Sequence, residues 1–249
     1  MGRPLVILNP GHFMPNDPGA VGNGLREAEV NVAIVNRVAG NSLKYGFQAV
    51  IVREKTLYDI CRVANTFRGA ALFYSIHSNA GGGTGYECYT ISGYAPPDRL
   101  RRASRVDVVA YLARYGFRDR GAKFANFFVL RNTTAPAILV ENLFVDTWTD
   151  AQRLKDSQFL DGLALAHTTG IAKALGVWKE EMTVEKRYQT LAEVPEWGRA
   201  TIQMLIEGKV LAGDGQGLNL SDDMVRIFVV NHRAGAYINM PSMQIDGKR

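Results

Sequence analysis

Three short polar motifs each follow directly on an apolar, strand-like run, and together they deliver two histidines and a glutamate. Residues 5–8 lead into Asn9-Pro10-Gly11-His12, residues 71–76 lead into His77, and residues 137–140 lead into Glu141. Ligands of open α/β sheets bind beyond the carboxyl ends of the strands, so this arrangement predicts a metal hydrolase. A fourth residue, Glu27, opens a helical pattern in which Val30, Ile34 and Val38 recur. Glu27 therefore shares the buried face, whereas Glu29 is rotated toward solvent. An ionised carboxylate on an apolar face requires a cation, either a metal or an arginine, because burying it unpaired forfeits its solvation.

Zinc accepts imidazole nitrogen and carboxylate oxygen, and its catalytic sites usually take three protein ligands and leave one position for water. His12, Glu27 and His77 fit that count. Glu141 then stays off the metal, where a carboxylate can take a proton from the attacking water and return it to a leaving amine. No short ligand pair such as a His-Glu-x-x-His helix is present. The strand-end positions carry the inference, and the spacing adds little.

At Leu8-Asn9-Pro10-Gly11-His12, Asp17-Pro18-Gly19-Ala20, Gly24-Leu25-Arg26-Glu27, Ser75-Ile76-His77-Ser78-Asn79-Ala80 and Val129-Leu130-Arg131 through Pro136-Ala137-Ile138-Leu139-Val140-Glu141, the sequence resembles the zinc-dependent N-acetylmuramoyl-L-alanine amidases of the type called amidase 3. The resemblance implies hydrolysis of the amide between N-acetylmuramic acid and the L-alanine of the peptidoglycan stem peptide. It also implies that His12, Glu27 and His77 bind one zinc ion and that Glu141 is the catalytic carboxylate. Two departures flank the site. Phe13-Met14 replaces the small glycine pair that usually follows the first histidine, and Asn142-Leu143 replaces the usual continuation after the glutamate. Phe13 either contacts substrate or packs under its own loop.

The elements that must position these residues read as an α/β domain, with a mostly parallel twisted sheet flanked by helices. Strands are expected at 4–8, 47–52, 71–76, 86–91, 126–130 and 137–141, and helices at 28–44, 57–68, 98–115 and 149–175. Strands separated by crossover helices favour parallel pairing. The glycine-rich segment 79–85 reads as a tight turn at the edge of the site or as a plain connection. His167 is expected to be a partly exposed or satisfied helix residue, Glu87 a reserve candidate for supporting the site, and Arg53 a partner for a carboxylate.

The character changes at Trp178, so the domains expected are a catalytic domain over 1–176, a linker over 177–182, and a small, mainly helical cell-wall-binding domain over 183–249. In the last, Pro195-Glu196-Trp197 starts a helix with Trp197, Ala200, Thr201, Met204 and Leu205 on one face and a glycine stop at Gly208. A glycine-aspartate loop and a second helix at roughly 221–233 follow. That layout resembles one surface-layer-homology unit. The loop at 214–219 lacks the bidentate glutamate of a calcium site. His232 is expected to contact wall ligand or solvent.

The chain has 249 residues, is 47% hydrophobic and carries net charge +5, enough for a full core. Residues 1–177 hold 20 basic and 14 acidic side chains, and Arg99, Arg101, Arg102, Arg105, Arg114, Arg118, Arg120 and Lys123 cluster within them. That cluster is either a solvated helix face or a field that attracts anionic wall polymers. It lacks the aromatic interleaving of a nucleic-acid reader. No apolar run is long enough to span a bilayer and no signal peptide is legible, so the protein is expected to be made in the cytoplasm and to reach the bacterial wall after release, as a bacteriophage endolysin or a host-encoded relative acting after lysis would. Cys61 and Cys88 are expected to be reduced and structural. Peptidoglycan is the expected partner, and nucleic acid and membrane are not. The rival readings are a zinc peptidase acting within wall peptides and a catalytically silent wall-binding protein.

Overall fold

A computed structural model describes residues 2–179, 187–212 and 217–233. The chain divides into two compact units, Met1–Lys179 and Glu180–Arg249. The first begins with β1 (Leu5–Pro10), β2 (Val21–Gly22), β3 (Leu25–Arg26), α1 (Glu27–Ser42), β4 (Gln48–Ile51), α2 (Leu57–Ala64) and β5 (Leu72–Asn79). It continues with β6 (Tyr86–Thr90), α3 (Ala95–Ala113), β7 (Asp119–Phe124), α4 (Phe128–Asn132), β8 (Ala137–Phe144), α5 (Trp148–Leu154) and α6 (Ser157–Ala174).

Six of these strands form one sheet in the order β4-β1-β5-β8-β6-β7. The four from β4 to β8 are parallel, β6 runs antiparallel to β8, and β7 is parallel to β6. Strands covered on both faces read as continuous apolar runs. Accordingly Val6, Ile7, Leu8, Phe73, Tyr74, Ile76, Ile138 and Val140 are wholly buried. Because β1, β5 and β8 point the same way, their carboxyl ends share one edge. Val30, Ile34 and Val38 of α1 are buried together with Glu27, while Glu29 is exposed.

Three expected elements differ. Residues 126–130 are not a strand, since the edge strand is β7, and the apolar Phe128-Val129-Leu130 instead forms α4. β7 is a half-exposed edge without an apolar run, so periodicity hides it, while Val129 and Leu130 pack with Ile60 and Cys61. The helix expected at 149–175 is two helices, because the Asp156 carboxylate accepts from the Gln158 and Phe159 amides and caps a new start. The helix expected at 98–115 starts at Ala95, with prolines in its first turn, where their missing N–H groups cost nothing. Cys61 and Cys88 are free and buried.

The second unit contains β9 (Arg187–Tyr188), α7 (Glu196–Glu207), β10 (Leu220–Ser221) and α8 (Asp222–Arg233), with β9 and β10 antiparallel. Tyr188, Val194, Ile202, Leu205, Leu220, Val225 and Val229 form its core. The buried face of α7 is rotated from the expected one. Gly198, Thr201, Ile202 and Leu205 face inward, and Trp197 is 45% exposed beneath the Arg226 guanidinium. A Cβ on Gly198 would lie 2.3 Å from Val225 Cγ1, so α8 crosses α7 at the glycine and sets that rotation. Gly208 caps α7, but the left-handed turn after it is taken by Lys209 (φ 57°). His232 Nδ1 pairs with Thr201 Oγ1 at 2.9 Å. Residues 180–182 of the expected linker, residues 214–216 of the loop and the tail 234–249 lie outside the described residues.

Candidate metal centre

His12, His77 and Glu141 emerge at the carboxyl edge of the sheet from β1, β5 and β8, and α1 brings Glu27 to the same place. His12 Nε2 lies 3.1 Å from Glu27 Oε2, and His77 Nδ1 lies 3.0 Å from Glu27 Oε1. One ligand atom from each residue falls within 4.8 Å of the others, and among the described residues no other His, Cys, Asp or Glu group converges in this way. The donors are two imidazole nitrogens and one carboxylate oxygen, a set that suits a borderline-soft divalent ion.

The surrounding backbone is shaped around this cluster. A Cβ on Gly11 would sit 2.2 Å from the His77 ring, and one on Gly19 would sit 2.6 Å from His12 Cδ2 and 2.7 Å from Glu27 Oε2. Neither position tolerates a side chain without filling the cradle. His12 itself occupies the left-handed region (φ 67°), uncommon for a non-glycine residue and typical of strain held at a functional position. The Asp17 carboxylate accepts a hydrogen bond from His12 Nδ1 at 2.9 Å and so leaves Nε2 to face Glu27. Glu27 also accepts from the amides of Ala20 and Ser78 and from the side chain of Asn31, which in turn donates to Gly11 O. Asp17 and Asn31 were not given roles from the sequence. The Asp17-Pro18-Gly19 turn was the available signal for the first, and a polar residue one helical turn after Glu27 for the second.

Electrostatics follow from that geometry. The hydrogen bond to Glu27 raises His12 from its ordinary 6.5 to about 9, against the pull of burial. Burial opposes charge on Glu27, but hydrogen bonds from His12 and His77 outweigh it and hold the carboxyl well below its usual range. His12 therefore carries a proton at neutral pH unless a metal displaces it. Binding of a divalent metal at pH 7 is expected to release close to one proton from His12. The apparent affinity should rise about tenfold per pH unit and flatten above about 9. Calorimetry in buffers of differing ionisation enthalpy measures the release. In the metal-free protein the stabilisation from this raised group is complete below 6.5 and disappears as the pH rises through about 9.

Glu141 stands beside the cluster in register with His77 on one side and Glu87 on the other. Its Oε2 is buried without a hydrogen-bond partner. Burial, then the charges of Glu27 and Glu87, push its carboxyl well above the usual range. A buried carboxylate left unsatisfied in a cleft is placed to exchange a proton. Glu87 is held by Asn79, Arg120 and Lys123, and against burial the hydrogen bonds from Lys123 and Arg120 lower its pKa. It shapes the field at Glu141 and stays tied up itself. A cleft of about 340 Å³ opens from His12, His77 and Glu141 toward Phe13, Leu57 and Phe127. Phe13 lines this cleft with the Arg53 guanidinium 5.1 Å from its ring centre, so Arg53 stacks on an aromatic ring where pairing with a carboxylate was expected.

The departures after Glu141 have a structural account. His77 pairs with Glu141 but Asn79 pairs with Phe144, so β8 carries one extra residue, and Leu143 takes a left-handed conformation (φ 57°) within that bulge. Asn142 donates to His77 O at 3.2 Å and accepts from His167 Nε2 at 2.8 Å, while Tyr74 OH pairs with His167 Nδ1 at 2.9 Å. His167 is thus fully buried and satisfied, and burial lowers it to about 3, so it stays neutral. Leu143→Gly relieves the left-handed strain but empties a fully buried leucine site and gives the unfolded chain more conformational freedom to lose on folding. The net expectation is a loss of about 2 kcal/mol in denaturant unfolding. The glycine-rich segment is tied down, since the Gly81 and Gly82 amides donate to Asp146 and the Thr147 hydroxyl donates to Gly83 O.

Residues 6–173 match the family described as N-acetylmuramoyl-L-alanine amidase. The chain is 38% identical over 188 residues to the N-acetylmuramoyl-L-alanine amidase CwlM of Bacillus licheniformis, covering 73% of this chain and 72% of the relative. It is 35% identical over 185 residues to an endolysin of Bacillus phage SPP1, covering 71% and 68%. The crystal structure of an N-acetylmuramoyl-L-alanine amidase from Clostridium difficile 630 superposes with a TM-score of 0.65 at 28% identity, covering 71% of this chain and 98% of that one.

Proposed function

The chain belongs to the N-acetylmuramoyl-L-alanine amidase family, and from that premise we propose that it hydrolyses the amide joining N-acetylmuramic acid to the L-alanine of the peptidoglycan stem peptide. The observation that carries the reading is the convergence of His12, Glu27 and His77 beside the unpartnered carboxyl of Glu141. The residue roles are part of the proposal. His12 through Nε2, His77 through Nδ1 and a Glu27 oxygen would hold zinc, and the donor set, the glycine cradle and the Asp17-oriented imidazole all fit it. A zinc ion there supplies Lewis acidity toward the scissile carbonyl and makes water a nucleophile at neutral pH.

Glu141 takes a proton from the attacking water and delivers it to the departing nitrogen of L-alanine. Its carboxyl resists ionisation because of burial and its acidic neighbours, and a nearby dication would favour the ionised form that acts as base. Phe13, Leu57 and Phe127 form an apolar wall that limits water around the reacting amide.

The second unit is proposed to tether the enzyme to the wall, a targeting role that suits attack on an insoluble polymer. Anionic wall polymers would meet this unit or the arginine-rich segment of the first. Within that segment Arg101 and Arg102 pair with Asp98, Arg105 with Asp119, and Arg120 and Lys123 with Glu87. Those pairs leave mainly Arg99, Arg114 and Arg118 to act on an external anion. Among the described residues no helix is long and apolar enough to cross a membrane. Likeness to a phage endolysin supports a role in host lysis.

Mass spectrometry of purified peptidoglycan digested by the zinc-loaded protein tests the reading. Stem peptides beginning with a free L-alanine amine, absent after chelation, are the expected product. A new amine at an internal peptide residue would instead identify a wall peptidase.

A further inference from the structure

A second concavity, of about 520 Å³, opens at the same end of the sheet, on the side covered by α5. Trp148, the first residue of α5, is 66% exposed there, and Tyr115 is 40% exposed beside it. Two large exposed rings lining one concavity form the kind of apolar patch that marks a surface with a partner. The frame around Tyr115 is rigid. Tyr115 packs edge-on against Phe159 at 5.0 Å between ring centres, beside Tyr111, and Arg153 stacks on it at 4.9 Å.

Two of the chain segments that line the groove continue from strands that carry candidate site residues. Thr84 lies in the connection between β5, which carries His77, and β6. Trp148 and Thr149 follow β8, which carries Glu141. The fully buried Asp150 binds them into one block, accepting from the hydroxyls of Thr84 and Thr149 and from the amides of Gly85 and Phe144. Thr84 follows His77 by seven residues and Trp148 follows Glu141 by seven, so the groove lies along the two connections that leave the reacting centre.

We infer that this groove is a subsite for the glycan strand, binding the N-acetylhexosamine units beyond the muramic acid whose amide is cut. The inference rests on the amidase reading, which requires the glycan to pass the metal centre, because the scissile amide hangs from the sugar. A pyranose ring has an apolar C–H face and a polar rim. The groove offers the matching surfaces, an indole platform in Trp148 and a rim of Thr84, Thr149, Gln152 and Arg153. Thr84 and Thr149 spend their hydroxyl protons on Asp150, so toward the groove they present acceptors for sugar hydroxyls, while Gln152 and Arg153 present donors for hydroxyl and acetamido oxygens. Arg153 is the one charged group lining the groove's rim, and its guanidinium already lies over Tyr115. That fits a neutral polymer and lacks the clustered cations an anionic one requires.

Trp148→Ala, on an exposed ring, should fold as the parent does. On glycan strands bearing stem peptides its KM should rise roughly fivefold to tenfold with kcat little changed, while a single disaccharide-peptide is cleaved as by the parent. Trp148→Phe should recover most of the loss. Independently of turnover, peptide-free N-acetylglucosamine oligomers, which carry no charge, should perturb tryptophan emission in the parent and leave the emission of Trp148→Phe unchanged. Unchanged KM on strands, an equal loss on both substrates, or a response to teichoic acid in place of peptide-free glycan would overturn the subsite. Failure of the parent to cut either substrate would instead remove the amidase reading, whatever the fluorescence shows.

Discussion

Glu141→Ala should lower turnover on peptidoglycan by about 10³-fold while the protein keeps its zinc and its affinity for wall material. The separation follows from where the side chain sits. Glu141 lies outside the group whose ligand atoms converge within 4.8 Å, and its Oε2 has no hydrogen-bond partner among the described residues. Removing it therefore takes away a proton carrier and leaves the His-Glu-His set intact. It also removes a carboxyl that a nearby dication would favour in its ionised form, so zinc should be held somewhat less tightly, far short of the loss that a missing ligand would cause. Metal analysis after dialysis, beside rates of amine release, measures the two effects separately. Loss of zinc together with activity would make Glu141 a ligand and sink its assignment as base. Glu141→Gln is the sharper companion, because it preserves volume and removes only the ability to cycle a proton, and it should be as inactive as the alanine variant.

The strands that carry the site were legible because they are apolar through their length and end abruptly in polar motifs. A buried parallel strand must read that way, and its carboxyl end is where the fold places ligands. Glu27 was legible for a related reason, since a charged residue in phase with Val30, Ile34 and Val38 has to find a buried partner. What escaped the sequence depended on tertiary contact. β7 forms because an edge needs pairing with β6, although Asp119, Arg120 and Lys123 give it no apolar rhythm. The rotation of α7 is dictated by the space at Gly198. Asn142 looked like an odd replacement beside Glu141 until the fold brought His167 and the His77 carbonyl to its two ends. Sequence distance hides such a pairing, and neither residue alone carries a period or a motif.

Glu27→Gln is the complementary experiment, and it is expected to abolish both zinc retention and hydrolysis. Substitution by glutamine keeps the size of the side chain and much of the hydrogen bonding available from Ala20, Asn31 and Ser78, so the helix start should survive. It removes the negative charge that both imidazoles face at 3.0 and 3.1 Å. Two consequences follow. A divalent ion loses its anionic ligand, and affinity should fall by more than about 100-fold, beyond the effect of losing an outer partner alone. His12 also loses the largest cause of its raised pKa, so its proton should leave at lower pH, with Asp17 the remaining acid at its ring. The stabilising contribution that the metal-free parent keeps until the pH rises through about 9 should then be lost at a lower pH. Circular dichroism to confirm folding, metal analysis, and a histidine titration by NMR read these effects independently. A folded Glu27→Gln protein that binds zinc as tightly as the parent would show that Glu27 serves the histidines as a counter-ion only. The third protein ligand would then have to come from another carboxylate, and Glu141 would be the first to test.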